Sequence, residues 1–139
     1  MSLFILDTDI LTLFQEGHPL VRQRVGAVPS QDLAITVLSV EKQLSGWYTF
    51  IRKAKRIDNL ALGYQSLADN VKSLRAFQII NFDETSILRY QALGKLNLNV
   101  RKMDLRIAAV VLEVGATLVT RNAKDFKKVP GLTFVDWSQ

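Results

Sequence analysis

The chain has 139 residues, 48% of them hydrophobic, and carries 18 Lys and Arg against 13 Asp and Glu, which gives a net charge of +5. This length and composition indicate one globular domain, residues 1–139, and exclude a disordered chain. The absence of cysteine excludes a disulfide framework and thiolate zinc sites. Neither a signal peptide nor an apolar run long enough to cross a membrane is visible, so we expect a cytoplasmic protein. Its basic charge suits a polyanionic partner.

The first predicted strand ends in a carboxylate. Leu3 to Leu6 form an apolar run that is typical of a strand buried on both faces of a parallel sheet. Helical spacing from Ile10 onward predicts a helix directly after it. The chain therefore turns at Asp7-Thr8-Asp9. We expect Asp9 to cap the helix, whereas Asp7 lies closest to the strand end, where ligands bind in open α/β sheets.

A second carboxylate follows the second predicted strand. Residues 33–38 are rich in aliphatic and β-branched types, and Ser39 is a plausible cap for a helix over residues 40–56. Glu41 lies in the predicted first turn of this helix. It either belongs to a site at the strand end or complements the positive end of the helix dipole.

Two long helices form a predicted hairpin over about residues 40–77. Asp58-Asn59 is expected to break the pattern, and a second helix is predicted over residues 60–77. The first helix ends in a basic run, Arg52, Lys53, Lys55 and Arg56. This run is either a solvated helix end that favours the negative end of the dipole or a surface that contacts phosphates.

Strands and helices also alternate in the second half of the chain. Residues 78–81 predict a third strand, and Asp83 is expected to cap the next helix. Residues 101–114 predict a helix that is apolar nearly all round and therefore central, with Asp104 at its N-terminal end.

The fourth predicted strand again leads into polar residues. Residues 117–120 form this strand, and residues 132–135 predict an edge strand further on. The polar residues between them include Arg121, Asn122 and Asp125. The alternation of strand and helix predicts an α/β fold with a parallel sheet and helices on both faces.

Four acids are thus predicted to meet at one edge of the sheet: Asp7, Glu41, Asp104 and Asp125. Clustered carboxylates cost stability unless a cation lies among them, and oxygen ligands favour Mg²⁺ or Mn²⁺. Thr8, Thr120 and Asn122 are expected to orient ligands or water, and Arg121 either to neutralise a phosphate or to pair with an acid. An acidic metal site on a basic protein indicates phosphodiester hydrolysis.

Four motifs carry a resemblance to a known family. They are Leu6-Asp7-Thr8-Asp9-Ile10-Leu11, Ser39-Val40-Glu41, residues 103–109 and residues 118–126, followed by residues 129–132 and Asp136-Trp137. Taken together and in this order, the chain resembles PIN-domain ribonucleases, specifically the VapC-type toxins of bacterial toxin–antitoxin pairs, over nearly its full length. It departs from the pattern at Arg101-Lys102, where many relatives carry small residues, and at Lys42, where an apolar residue is common.

The resemblance implies a three-layer PIN-like fold, with a central parallel sheet of four to five strands, helices on both faces and a protruding helical hairpin. It also implies a Mg²⁺- or Mn²⁺-dependent endoribonuclease that cleaves an RNA substrate. The implied metal-site acids are Asp7, Glu41, Asp104 and Asp125, with Thr8 and Asn122 as support. A homodimer is implied as well, together with a small cognate antitoxin that the hairpin grips and that lays a segment across the active-site groove.

Two other functions are compatible with the sequence. Asp7-Thr8-Asp9 after a strand also resembles the nucleophile motif of haloacid dehalogenase-like phosphatases, in which the second Asp is the acid–base. The other alternative is a non-catalytic module that binds RNA or a protein through its basic face and uses the acids only as helix caps.

Overall fold

The central sheet is built from five parallel strands in the computed structural model, which describes residues 2–139. The strands are β1 (Phe4–Leu6), β2 (Leu33–Thr36), β3 (Gln78–Ile80), β4 (Thr117–Val119) and β5 (Phe134–Val135). The helices are α1 (Thr8–Gln15), α2 (Pro19–Gly26), α3 (Val37–Lys53), α4 (Ile57–Leu74), α5 (Glu84–Gly94), α6 (Lys102–Val114) and α7 (Ala123–Phe126). The sheet order β3-β2-β1-β4-β5 confirms the predicted α/β class.

Successive residues of the central strand supply two different cores. Ile5 points into a core with the buried α6 and part of α5, whereas Leu6 points into a core with α1 and α2 on the opposite face. Both residues are fully buried. Because side chains alternate across a strand, an apolar run without polar interruption is required when both faces are covered. The three-layer arrangement therefore follows from the run that opens the chain.

The second strand is shorter than predicted. It ends at Thr36, whose hydroxyl accepts a hydrogen bond from the Ser39 amide at 3.3 Å and so caps α3. The prediction that Ser39 is the cap was wrong, because Thr36 has the same capping chemistry and comes three residues earlier. As a result Val37 and Leu38 are helical rather than extended.

The helical hairpin is confirmed, but both of its helices begin and end three residues before the predicted bounds. Asp58 lies in the first turn of α4, not in a break, and its carboxylate accepts from the Arg56 guanidinium at 3.0 Å. The two helices approach closely at Gly63. A Cβ atom placed there would lie 2.8 Å from Ile51 Cγ1 and 3.0 Å from Phe50 Cδ1. Glycine at this position therefore permits the tight packing of the hairpin.

The predicted cap of α5 is confirmed, and two other helix ends are clearly marked. Asp83 accepts from the Ser86 amide and caps α5, and α6 ends at Gly115, which has a φ of 70°. His18, the single histidine of the chain, lies between α1 and α2 and caps α2 by accepting from the Val21 amide. Within residues 2–139, no helix has the length and apolar character needed to cross a membrane.

Candidate active site at the carboxyl edge of the sheet

The carboxyl ends of β1 and β4 meet at the point where the strand order reverses. Asp7 follows β1 directly and is only 5% exposed. One of its oxygens accepts from the Thr8 amide at 2.8 Å, and the other accepts from the Thr120 hydroxyl at 2.7 Å. Thr120 follows β4 and is fully buried. These bonds fix the Asp7 carboxylate at the topological switch point, where α/β sheets bind ligands.

Burial makes the Asp7 carboxylate costly to ionise. Loss of solvation, followed by the negative charge of Asp9, raises the pKa of Asp7 from 3.8 to about 6. The hydrogen bonds from Thr120 and Thr8 oppose this rise, and the charge of Asp104 adds to it. Such a group stabilises the protein only in its neutral form or beside a positive charge.

The capping role expected of Asp9 belongs to Asp7. The N-cap of α1 is Asp7, not Asp9. Asp9 lies within the first turn, and its Oδ2 accepts from the backbone amide of Arg121 at 3.2 Å. Burial raises the pKa of Asp9, and its Oδ1 is buried without a hydrogen-bond partner among the described residues. Asp9 thus ties the loop after β4 to α1.

Thr8 joins the site to the third helix. Its hydroxyl lies 2.8 Å from the hydroxyl of Ser39, and both side chains are buried. Ser39 was predicted as a cap, and this lateral contact has no signal in the sequence, because it depends on how α1 and α3 pack. The bond sets the position of the first turn of α3 relative to Asp7.

Asp125 is held by one residue before and one residue after its own short helix. One oxygen accepts from the Asn122 amide group at 3.0 Å, and the other forms an ion pair with Lys128 at 3.4 Å. The Asn122 hydrogen bond, together with Lys128, keeps the pKa of Asp125 below its usual value. Asn122 also donates its backbone amide to Thr120, so one chain of bonds joins Asp7 to Asp125. The part played by Lys128 was not predicted, although its position three residues after Asp125 permits it.

Asp104 is close enough to both Asp7 and Asp125 for their charges to interact: its charge raises the pKa of Asp7, and the charge of Asp125 raises its own. It occupies the first turn of the buried helix α6 and is 9% exposed. Burial raises its pKa; Lys42 and Arg101 oppose the rise, and Asp125 adds to it. Lys42 and Arg101 belong to the two departures from the family pattern, Lys42 and Arg101-Lys102, and the charges of both act on this acid.

Glu41 is not brought into this group. Because α3 begins at Val37, Glu41 lies in the second turn rather than the first, so the prediction of a first-turn carboxylate was wrong. Its side chain is exposed and makes no hydrogen bond with any of the residues from 2 to 139. The charge of its neighbour Lys42 instead acts on Asp104, where it opposes the rise in pKa.

Comparisons with known proteins were made over the whole chain. A scan against models of protein families finds no match. The Ribonuclease VapC1 of Haemophilus influenzae strain R2866 is 22% identical to this chain, and the match covers 99% of both. Among solved structures, DNA-bound VapBC from Salmonella typhimurium superposes with a TM-score of 0.80 at 19% identity over 99% of both chains. A toxin–antitoxin complex from Klebsiella pneumoniae gives a TM-score of 0.71 at 26% identity over 96% of both chains.

The chain has a VapC-type PIN fold. The resemblance predicted from the four motifs is thereby confirmed along the full length. The solved VapBC2 of Rickettsia felis agrees, with a TM-score of 0.75 at 25% identity and coverage of 98% of this chain and 99% of that one.

The polar side chains at this edge of the sheet are oxygen ligands, but the acids stand apart. The atoms that could bind a metal there are carboxylate and hydroxyl oxygens. Asp104 has no hydrogen-bond partner within residues 2–139. Across that same range, no three acids or histidines lie close enough to one another to hold a metal ion. Asp125 is directed to Lys128, and Glu41 to solvent. These oxygen ligands are of the type that Mg²⁺ and Mn²⁺ prefer, but the acids are not gathered into one cluster.

The basic run lies at the far end of the VapC-type hairpin from the acids. Arg56 is paired with Asp58, and Arg52 donates to the Thr49 hydroxyl at 3.3 Å. Lys53 and Lys55 are exposed and make no ion pair within the described chain. Arg121 is exposed beside the acids, and its charge lowers the pKa of Asp9. Lys53, Lys55 and Arg121 therefore make no ion pair within residues 2–139, whereas the Arg56 guanidinium is already held by Asp58.

Proposed function

We propose that this chain is a metal-dependent endoribonuclease that hydrolyses RNA phosphodiester bonds as the toxin of a toxin–antitoxin pair. The observation that carries the proposal is the buried Asp7, fixed between the ends of β1 and β4 and placed within the field of Asp104. The full-length likeness to Ribonuclease VapC1 supports the same reaction. A structural cap has no need of burial and of a second acid beside it.

We propose that Asp7 and Asp104 hold Mg²⁺ or Mn²⁺, that Asp125 completes the set and that Glu41 reaches it through water. When bound, the cation supplies an activated water and neutralises charge on the phosphate oxygens. Thr120 holds the Asp7 carboxylate in place, and Asn122 does the same for Asp125. Thr8 and Ser39 fix the distance between α1 and α3.

The cations around the acids have a separate task. A polyanionic substrate is repelled by an unshielded acidic site, so positive charge close to the acids is needed to admit it. Lys42 and Arg101 lie beside Asp104, and Arg121 lies beside Asp9. We propose that they neutralise the phosphates that flank the scissile bond.

The hairpin provides the surface for a protein partner. Ile57, Leu60, Tyr64 and Val71 follow helical spacing along α4 and are exposed, Ile57 by 89%. An apolar stripe of this kind marks a protein-binding surface. The solved neighbours are named as VapBC and toxin–antitoxin complexes. We propose that a cognate antitoxin covers this stripe, that the chain forms a homodimer, and that it acts in the cytoplasm.

The proposed reaction is tested by incubating the purified chain with structured RNA in Mg²⁺, in Mn²⁺ and in EDTA. Cleavage is expected with either cation and not with EDTA. An Asp104→Asn variant serves as the control for contaminating nuclease, because it changes one oxygen to an amide in the proposed metal set. Equal cleavage by the variant, or cleavage in EDTA, would contradict the proposal.

Charge reversal at the hairpin tip is expected to weaken RNA binding. In single strands each phosphate contact contributes about 0.7 to the slope of log affinity against log salt, so loss of two contacts should flatten the slope by about 1.4. The variant is Lys53→Glu with Lys55→Glu, since these two lysines make no ion pair among residues 2–139. The measurement is fluorescence anisotropy of a labelled RNA at several salt concentrations.

The control for this variant keeps the net charge the same. Lys72→Glu with Lys95→Glu makes an equal change at two other exposed lysines. If both double variants lose affinity equally, the effect is that of net charge alone, and the hairpin tip is not in the path of the RNA.

One observation favours the non-catalytic alternative. The separation of the acids and the exposure of Glu41 are expected of a module whose carboxylates serve only as caps. Such a module binds RNA or its protein partner with no cleavage in any cation, so the incubation in Mn²⁺ separates the two functions.

A further inference from the structure

An open pocket of about 340 Å³ begins directly beside the acids. Thr8, the residue after Asp7, forms one end of it. Lys42, Gly46, Trp47 and Phe50 of α3 line its length. The pocket therefore extends from the residue next to Asp7 along α3, and only Thr8 and Lys42 of its lining have been given a role so far.

Its walls combine a cation with an aromatic surface. The Trp47 and Phe50 rings lie 5.6 Å apart, with an interplanar angle of 72°. Lys42 stands at the end near the acids. Gly46 contributes no side chain, and a Cβ atom built there would meet nothing within 4 Å. A flat group thus has open access to the indole, and an anion attached to it has access to the ammonium.

The inner wall is rigid. Gln43 Nε2 donates to Gln15 at 2.9 Å and to Thr12 at 3.2 Å. Its Oε1 accepts from Asn70 at 2.8 Å and from Gln15 at 3.1 Å. With its donors and its acceptor all engaged, this amide holds one orientation, and a wall fixed before binding loses little entropy when a ligand arrives.

The pocket also lies on a continuous track along α3. Lys42, Gly46, Phe50 and Lys53 recur at helical spacing on one face of this helix. At 1.5 Å per residue, the track from Lys42 to Lys53 is about 16 Å long. Its outer end is the basic run, and its inner end is the acidic site.

We propose that this pocket, here called the α3 pocket, binds the nucleotide next to the scissile phosphate, with its base stacked on Trp47 and its phosphate against Lys42. The proposal rests on the proposed ribonuclease function and specifies how the substrate is held. Base stacking on an aromatic side chain tolerates every base, so the α3 pocket sets position rather than sequence.

Charge favours a nucleotide over a segment of a protein partner. The lining of the α3 pocket within residues 2–139 contains a lysine and no acid. The neighbouring cavity of about 450 Å³ is lined by Glu16, Asp69 and Arg22, a mixture that suits a peptide better than a phosphate. The occupant of the α3 pocket is therefore expected to carry negative charge.

A variant that fills the pocket without removing a contact tests this proposal. Gly46→Leu places a side chain in the open space beside Trp47. It leaves every hydrogen bond of the wall in place, and replacement of a helical glycine favours the helix. Gly94→Leu is the matched control, because Gly94 ends α5 and a Cβ there also meets nothing within 4 Å.

The probe is a fluorescein-labelled 2′-O-methyl RNA hexamer in EDTA, with affinity measured by anisotropy. Gly46→Leu should bind it at least about tenfold more weakly, as expected for the loss of one stacked base. Gly94→Leu should bind like the unsubstituted chain, and thermal unfolding should show both variants folded. In the unsubstituted chain the unlabelled hexamer should quench Trp47. The second tryptophan, Trp137, is 7% exposed and packs on Phe4, so it contributes a constant signal.

Unchanged affinity in Gly46→Leu, or hexamer binding without quenching, would overturn the proposal and leave the α3 pocket to a protein segment. Failure of the ribonuclease proposal has a different signature. In that case Mg²⁺ gives no cleavage, yet the hexamer still binds in a manner that Gly46→Leu blocks, and the α3 pocket remains a nucleotide site.

Discussion

An Asp7→Asn variant is expected to lose RNA cleavage by at least about a thousandfold, because metal-assisted stabilisation of the transition state supplies several kcal/mol. The change replaces one metal-binding oxygen with an amide nitrogen at the centre of the proposed site. The bond from the Thr8 amide survives, whereas the bond with Thr120 can persist only with its direction reversed, the new amide nitrogen donating to the Thr120 hydroxyl. Asparagine is as good an N-cap as aspartate, so Thr8 can still donate to its oxygen. The loss of activity is therefore not a loss of fold.

The same variant is expected to be more stable than the unsubstituted chain at neutral pH. The pKa of Asp7 is raised to about 6, so its charged form is disfavoured in the folded protein relative to the unfolded chain. A neutral amide removes that penalty, which amounts to on the order of 3 kcal/mol for a shift from 3.8 to about 6. Opposite changes in activity and stability are the mark of a residue kept for function.

The measurements are cleavage rate in Mg²⁺ and urea unfolding at pH 7 in EDTA. Asp9→Asn is the control on the neighbouring residue. A VapC-type nuclease is expected to tolerate it with mild loss, whereas the phosphatase alternative requires Asp9 as acid–base and loses all activity. A destabilised Asp7→Asn protein that still cleaves RNA would show that Asp7 is a structural cap and nothing more.

The sequence predicted which strands and helices form better than it predicted the residues at which they begin and end. Burial on both faces requires the unbroken apolar run of β1, and burial on all sides requires the apolar character of α6. The sheet and its central helix could therefore be predicted from the sequence. The start of α3 could not. Thr36 and Ser39 are both competent caps; in the structure Thr36 is the cap, and the Ser39 hydroxyl contacts Thr8 instead.

The composition of the site was predictable, and its detailed bonding was not. The carboxyl edge of a parallel sheet brings Asp7 and Thr120 together for topological reasons alone. The surroundings of Asp9 and Asp104 depend on distances between separate helices and strands, and the spacing of residues along the sequence does not give those distances. Asp9 bonds to the loop after β4 instead of capping α1, and it is the charge of Lys42 rather than of Glu41 that acts on Asp104.

A rise in pH without metal is expected to destabilise this protein through Asp7. An acid whose folded pKa is raised stabilises the folded state below its unfolded pKa of about 3.8, and that contribution is lost as the pH rises through about 6. Burial raises the pKa of Asp9 and Asp104 as well, so they act in the same direction. Asp125, with its lowered pKa, acts in the opposite sense and only in more acid solution.

The contribution of Asp7 is isolated by subtraction. The free energy of unfolding is measured in EDTA from pH 4 to pH 7 for the unsubstituted chain and for Asp7→Asn. The stability difference should be small at pH 4 and should grow to on the order of 3 kcal/mol in favour of the variant by pH 7. A constant difference across this range would mean that Asp7 ionises normally in the fold.

Manganese should reverse this pH effect in the unsubstituted chain alone. A cation that binds the ionised acids of the folded state adds about 2.7 kcal/mol when its concentration is a hundred times its dissociation constant. This gain requires ionised carboxylates, so it should be absent near pH 4 and complete near pH 7. Asp7→Asn should show little of it, because the amide is a weaker ligand. If Mn²⁺ stabilises both proteins equally at pH 7, the cation binds elsewhere, and the carboxylates at the edge of the sheet do not form the metal site.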